Sequence, residues 1–144
     1  YYESDTYKLG KEHIQDGLEK GVFSQDDRGN IVFMLPEDKF GLEKGGQPKR
    51  VTVLRPDGTS LYITQDIATS IIKKNAEQLD YSIWVVGSEQ EHHFKCLFEI
   101  LRALGHNWAD DCYHLSYGMV NLPVSLASVP WQKAVHGLQA ACAI

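Results

Sequence analysis

Two side chains set the first chemical question. Tyr62 and Asp66 stand four residues apart in TSLYITQDIA, where an apolar run passes into a helical pattern starting near Gln65 or Asp66. In open α/β sheets, the junction of a strand with its following helix is where ligands bind. A carboxylate placed there can receive a guanidinium, whose planar fork makes two parallel, charge-assisted hydrogen bonds. A neighbouring phenol supplies one further hydrogen bond and a flat face for an aliphatic stem. The plainer alternative stays open. Asp66 can simply favour the positive end of a helix dipole from the first turn, and Tyr62 can be a half-buried strand aromatic.

A second cluster lies in VVGSEQEHHF, residues 85–94, where Gly87 ends a strand and Glu89 to His93 open a helix. A strand, a glycine and a helix N-terminus make a ready site for an anion or a ribose. Gln90 and His93 are its candidate polar contacts, although His93 reads equally as an ordinary helix-start histidine. His92 and Cys96, four apart, raise zinc. Two ligands on one turn do not close a tetrahedral site, and adjacent His92 and His93 point about 100° apart on a helix. No protein-bound structural metal is expected. Glu3-Ser4 reads as a capping pair, and Tyr117-Gly118-Met119-Val120 as the end of a strand.

The elements that must position these groups follow from local pattern. Asp5 or Thr6 caps a helix over 5–20, with Tyr7, Ile14 and Leu18 on one face and Gly21 as its stop; Gly10 and Gly17 weaken it. VFSQ and NIVFML around DDRG form a β-hairpin, and 36–49 is a polar, Gly/Pro-rich loop. A second hairpin turns at Pro56-Asp57-Gly58. A helix over about 65–78 points Ile67, Ile71 and Ile72 inward. YSIWVVG, 81–87, is a continuous apolar run, as in a parallel strand buried on both faces. Phe94, Leu97, Phe98, Leu101 and Leu104 mark an amphipathic helix over 89–104 that Gly105 ends, and 112–120 is the last strand. Strand–helix–strand–helix–strand makes two parallel crossovers, half of a doubly wound sheet. In the tail, Pro130 starts a helix carrying Trp131, Val135, Leu138 and Cys142, to which no chemistry attaches.

Composition bounds the function. With 144 residues, 43% of them hydrophobic, the chain is one domain at most and can bury a core. No run of about 18 apolar residues is present, so no membrane span is expected. The sequence has no initiator Met and opens at Tyr1-Tyr2-Glu3-Ser4, which suggests a piece of something longer. A formal charge of −5 argues against a stand-alone nucleic-acid binder, which needs a basic face. Cys96, Cys112 and Cys142, without a CxxC, read as reduced thiols of a cytoplasmic protein.

YYESDTY, DGTSLYITQDIA, VVGSEQEHHF, ALGHNWA and HLSYGMV, in that order, resemble the class I aminoacyl-tRNA synthetases, and within them arginyl-tRNA synthetase. The resemblance covers about residues 1–123. It implies an α/β fold: the second half of a Rossmann-like parallel sheet of nucleotidylyl-transferase type over 50–123. A small α+β connective insertion, helix plus hairpin, would occupy 1–49, with an atypical, unassigned tail at 124–144. It implies that Tyr62, Asp66, Gln90 and Glu3 hold arginine, and that Gly87, His93, Gly118, Met119 and Val120 lie along ATP or its adenosine. Two carboxylates, Glu3 and Asp66, around one delocalised cation would reject citrulline and lysine.

The reaction so implied activates arginine with ATP, accompanied by Mg²⁺, to arginyl-adenylate, and then charges tRNA(Arg). Two motifs that meet the phosphate charge in that family, the HIGH-type and KMSKS-type sequences, are absent here; after Val120 the chain runs NLPVSLASVPWQKAV. The expectation is therefore a ligase fragment that does not catalyse alone and associates with itself through an exposed sheet edge. The alternative is a non-catalytic nucleotide- or amino-acid-binding α/β module with a self-covered sheet, and a third reading is a structural fragment whose Trp84 and Trp131 surfaces a partner buries.

Overall fold

The computed structural model describes residues 3–118. Helix α1 (Glu3–Glu19) is followed by β1 (Ser24–Gln25), β2 (Ile31–Met34), a short α2 (Glu37–Phe40) and β3 (Arg50–Leu54). Then come α3 (Tyr62–Glu77), β4 (Ser82–Gly87), a 3₁₀ turn at Ser88–Gln90, α4 (Glu91–Ala103), a second 3₁₀ turn and β5 (Cys112–Tyr117). β1, β2 and β3 form an antiparallel sheet in that order, while β4 and β5 pair in parallel.

The turns form where local chemistry requires them. Asp26 Oδ1 accepts the backbone N–H groups of Arg28 and Asn30 at 3.0 and 2.8 Å, closing the first hairpin. At Pro56-Asp57-Gly58, Asp57 accepts the Thr59 N–H at 2.8 Å, and Gly58 takes φ +79°, a left-handed value that an L side chain rarely adopts. α4 ends in a Schellman motif: His106 N–H reaches the Leu101 carbonyl and Gly105 N–H that of Arg102, with Gly105 at φ +92°.

The second hairpin has no second strand. Beyond the turn only a single bridge, Leu54 to Ser60, is made, and the chain enters α3 directly from extended Leu61. The anchor is not local: buried Thr64 donates its hydroxyl to the Val53 carbonyl of β3, and the Leu61 N–H reaches the same oxygen. α3 thus begins at Tyr62, three to four residues earlier than the sequence pattern suggests. Within 36–49, read as loop, α2 is pinned to α4 by Lys39 and Glu99 at 2.7 Å and by Phe40 packed edge-on against His92.

β3 does not join a parallel sheet. Its apolar run suits either pairing, and the 36–49 connection returns it antiparallel to β2. One parallel crossover, β4–α4–β5, is therefore present among the described residues instead of two. The core gathers Ile14 from α1, Phe23 and Phe33 from the hairpin, Val53 from β3, Ile67 and Ile71 from α3, and Leu97, Ile100 and Leu101 from α4. Trp84 of β4 rests on Phe94 and Phe98. The opposite face of that sheet corrects the reading of 81–87 as covered on both sides, since Ile83 and Val85 are 62% and 63% exposed. Their register partners Tyr113 and Leu115 are exposed too. Cys96 and Cys112 are buried and unpaired, and burial pushes each thiol up to about 11. Cys142 and the tail helix at 121–144 lie outside the described residues. No described helix is long and apolar enough to cross a membrane.

Candidate functional site

The C-terminal ends of β4 and β5, the start of α4 and the first two turns of α3 border an open cavity of about 450 Å³. Its lining is Tyr62, Asp66, Val86, Gly87, Glu89, Gln90, His93, Phe94 and Tyr117. This is the position at which parallel α/β sheets bind ligands, outside the carboxyl ends of the strands.

Tyr62 and Asp66 reach it from one face of α3, because residues four apart on a helix stack one turn above the other. The phenol is 82% exposed, so Tyr62 is a helix-start residue presented to the cavity mouth rather than a half-buried strand aromatic. Asp66 lies in the second turn of α3, where the helix dipole has little hold on a carboxylate. Its Oδ2 is instead 2.7 Å from Nε2 of His93, on the first turn of α4. Ser70 Oγ donates to the Asp66 backbone carbonyl at 2.6 Å, a bond that leaves the carboxylate unaffected.

The opposite wall is built by the turn after β4. Gly87 has φ −58° and ψ 151°, so its value is not conformational; a Cβ there would sit 2.5 Å from the Glu89 carboxylate oxygens and narrow the cavity. Gln90 occupies the N-cap position of α4 without a side-chain capping bond and lines the same space. Phe94 closes the floor, 4.6 Å from the His114 ring and nearly parallel to it, and the His114 Nε2–H donates to the Val86 carbonyl at 3.0 Å. Two carboxylates, a primary amide and two phenols around an apolar floor are groups that can receive a cation with an aliphatic stem.

The structure thus brings Tyr62, Asp66, Gly87, Gln90 and His93 to one cavity. Gly118 follows β5 but does not line it. Met119 and Val120 lie outside the described residues, as does the side chain of Glu3, whose backbone opens α1. Glu89 and Tyr117, which the sequence marks only as a helix start and a strand end, also line the cavity. The signal for Tyr117 was its place at the end of the last strand, directly before Gly118.

A second cavity, about 530 Å³, shares Tyr62, Glu89 and His93 with the first and extends to Arg50, His92 and Cys96. His92 Nε2 lies 3.6 Å from Cys96 Sγ, but no group of three or more His, Cys, Asp or Glu that could hold a metal occurs among the described residues.

Comparison with known proteins gives a consistent result. Residues 2–123 match the family described as tRNA synthetases class I (R), catalytic domain. Over 123 residues the chain is 51% identical to the arginine–tRNA ligase of Treponema denticola, which covers 85% of this chain and 20% of that protein. It is 50% identical over 124 residues to that of Flavobacterium psychrophilum, covering 85% and 19%. The chain therefore spans about a fifth of the length of the curated relatives it matches. Among solved structures, Thermus thermophilus arginyl-tRNA synthetase superposes with a TM-score of 0.60 at 17% identity, over 78% of this chain and 24% of the other. The Plasmodium falciparum arginyl-tRNA synthetase superposes with a TM-score of 0.62 at 15% identity, over 97% and 24%.

Proposed function

The chain belongs to the class I (R) tRNA synthetase catalytic-domain family, and from that premise we propose that it is the part of an arginine–tRNA ligase that grips arginine and positions adenosine. Its fold is the Rossmann-like α/β type, with residues 50–123 as the second half of the nucleotide-binding unit, 1–49 as a connective insertion and 124–144 as a tail without assigned chemistry.

The observation that carries this reading is the shared cavity of Tyr62 and Asp66, with Gln90 and Glu89 on the facing wall. Asp66 receives the guanidinium, Tyr62 covers the stem, and Gln90 meets the amino end. Glu3 is the second carboxylate of the arginine site. Gly87, His93 and the strand end at Gly118, Met119 and Val120 lie along the adenosine of ATP, which enters with Mg²⁺ as substrate. In the parent enzyme the arginine carboxylate attacks the α-phosphate, pyrophosphate leaves, and the adenylate then esterifies tRNA(Arg). The residues of this chain supply orientation for that step. Transition-state charge on the phosphates is met by the HIGH-type and KMSKS-type motifs, which this sequence lacks. The chain alone therefore binds without turning over, and the parent works in the cytoplasm.

A self-contained binding module would cover its own sheet. Instead Ile83, Val85, Tyr113, Leu115 and Tyr117 form an exposed apolar face on β4–β5, which favours part of a larger domain and self-association when isolated. Calorimetric titration with arginine, lysine and citrulline tests the reading. Arginine binds, lysine and citrulline bind at least about tenfold more weakly, and Asp66→Asn abolishes the difference. Equal affinities, or no arginine binding by a folded chain, would overturn it.

A further inference from the structure

We propose that His93 is a positioning residue for arginine recognition: by holding Oδ2 of Asp66 it fixes the plane in which the carboxylate meets a guanidinium. This deepens the reading of Asp66 as the arginine anchor and rests on it.

The two residues are 27 apart in sequence, and their 2.7 Å contact ties α3 to α4 across the cavity. The Asp66 side chain is 41% exposed, so packing alone does not fix the plane of its carboxylate and the His93 contact can. His93 can serve, since its own side chain is only 24% exposed and its ring stands edge-on against Phe94, 5.4 Å between centroids at 88°. Phe94 is 6% exposed and stacked on His114, so the imidazole is braced from the core outward.

A carboxylate only accepts hydrogen bonds, so the Asp66 contact selects the ring form that carries a proton on Nε2. A carboxylate offers about four lone-pair directions, and one donated N–H leaves room for the two parallel donors of a guanidinium. The fork needs a fixed plane. A lysine ammonium is a point charge and can follow a carboxylate that rotates. Loss of His93 should therefore damage arginine binding more than lysine binding, an asymmetry that general loosening of the fold would not produce.

His93→Phe keeps the ring and removes the donor, and His93→Gln restores an N–H near the Nε2 position. The expected result is that His93→Phe weakens arginine binding roughly tenfold, the loss of about one of the two parallel guanidinium bonds that a fixed carboxylate plane permits, with lysine affinity changed less than about threefold. His93→Gln recovers most of the loss, and thermal midpoints stay within those of the parent chain. In ¹⁵N-imidazole spectra His93 occupies the Nε2–H form, and Asp66→Ala releases it. An unchanged arginine-to-lysine ratio in His93→Phe, or a His93 ring signal indifferent to Asp66→Ala, overturns the proposal. If Asp66→Asn abolishes arginine binding while His93→Phe leaves it intact, the positioning role falls and the arginine site stands. If Asp66→Asn leaves arginine binding intact, both fall.

Discussion

Gly10→Ala puts two opposing effects against each other on the helix that backs the site. Gly10 is in the interior of α1, where alanine is favoured over glycine by about 1 kcal/mol. From helix propensity alone the substitution stabilises. The structure argues for the opposite sign. A Cβ at Gly10 would lie 2.9 Å from the Thr64 carbonyl oxygen and 3.0 Å from its Cγ2. The first of these is backbone and cannot rotate aside, and Thr64 is itself fully buried and bonded to Val53. Forcing a methyl into a packed contact costs about 1–3 kcal/mol. With a rigid neighbour the upper part of that range applies, leaving a net loss of about 1–2 kcal/mol after the propensity gain. For a chain of this size that lowers the melting midpoint by about 3–8 °C. Circular dichroism melts and urea titrations of parent and variant measure it. Thr64→Ser in the same background removes the methyl contact but not the carbonyl, so it should relieve only part of the loss. A midpoint equal to or above that of the parent would refute the reasoning, showing that α1 and α3 are not packed as closely as the backbone positions indicate.

Thr64→Val preserves shape but removes the hydroxyl that Thr64 donates to the Val53 carbonyl, so stability should fall by about 1 kcal/mol in urea titration, and arginine affinity should fall with it as the first turn of α3 loosens. His13 and His106, half-buried at the α1–α4 side, are both held below the usual 6.5, chiefly by burial. Asp16 and Glu12 oppose the shift at His13, whereas Lys20 adds to it, and His106 is lowered further by His13 and Lys20. The folded chain therefore binds fewer protons than the unfolded one just below pH 6.5, and stability is complete above that value and declines as the pH falls through it; melting midpoints from pH 8 to 5 should show the decline, and His106→Gln should flatten it. Val85→Lys and Leu115→Lys place charge on the exposed β4–β5 face and should shift sedimentation profiles toward monomer without lowering the melting midpoint, since neither residue is buried.

What could be read from the sequence, and what could not, divides along one line. Pro56-Asp57-Gly58, Asp26 to Asn30 and Gly105 were legible because their geometry is set by φ and by bonds within a few residues. That Tyr62 and Asp66 share a helix face, and that Gly87, Gln90 and His93 follow one another across a single strand-to-helix junction, was legible for a similar reason: short spacing within or between adjoining elements fixes where they come together. The start of α3 was not, because no side chain at Leu61 caps it and the anchor is Thr64 reaching back to β3. The partner of β3 was not, because a five-residue strand rich in β-branched residues does not distinguish parallel from antiparallel pairing. Gly10 and Gly17 read as weak points in a helix, yet each is a place where another part of the chain arrives. Thr64 approaches the first, and the Phe23 ring would lie 2.3 Å from a Cβ at the second.

The same line runs through the site itself. Sequence could align Tyr62 with Asp66 but could not show that Asp66 faces His93, because that contact joins two helices and is decided by how α3 and α4 pack over a shared core. The choice of residues at the cavity is therefore written locally, while their mutual orientation is written in Ile67, Ile71, Leu97 and Leu101, none of which touches it. It follows that truncating a core residue such as Leu97, fully buried between those helices, should disturb arginine selectivity as well as stability, whereas an equally costly truncation at Phe33, in the hairpin sheet, should lower stability and leave selectivity unchanged in the molecules that remain folded.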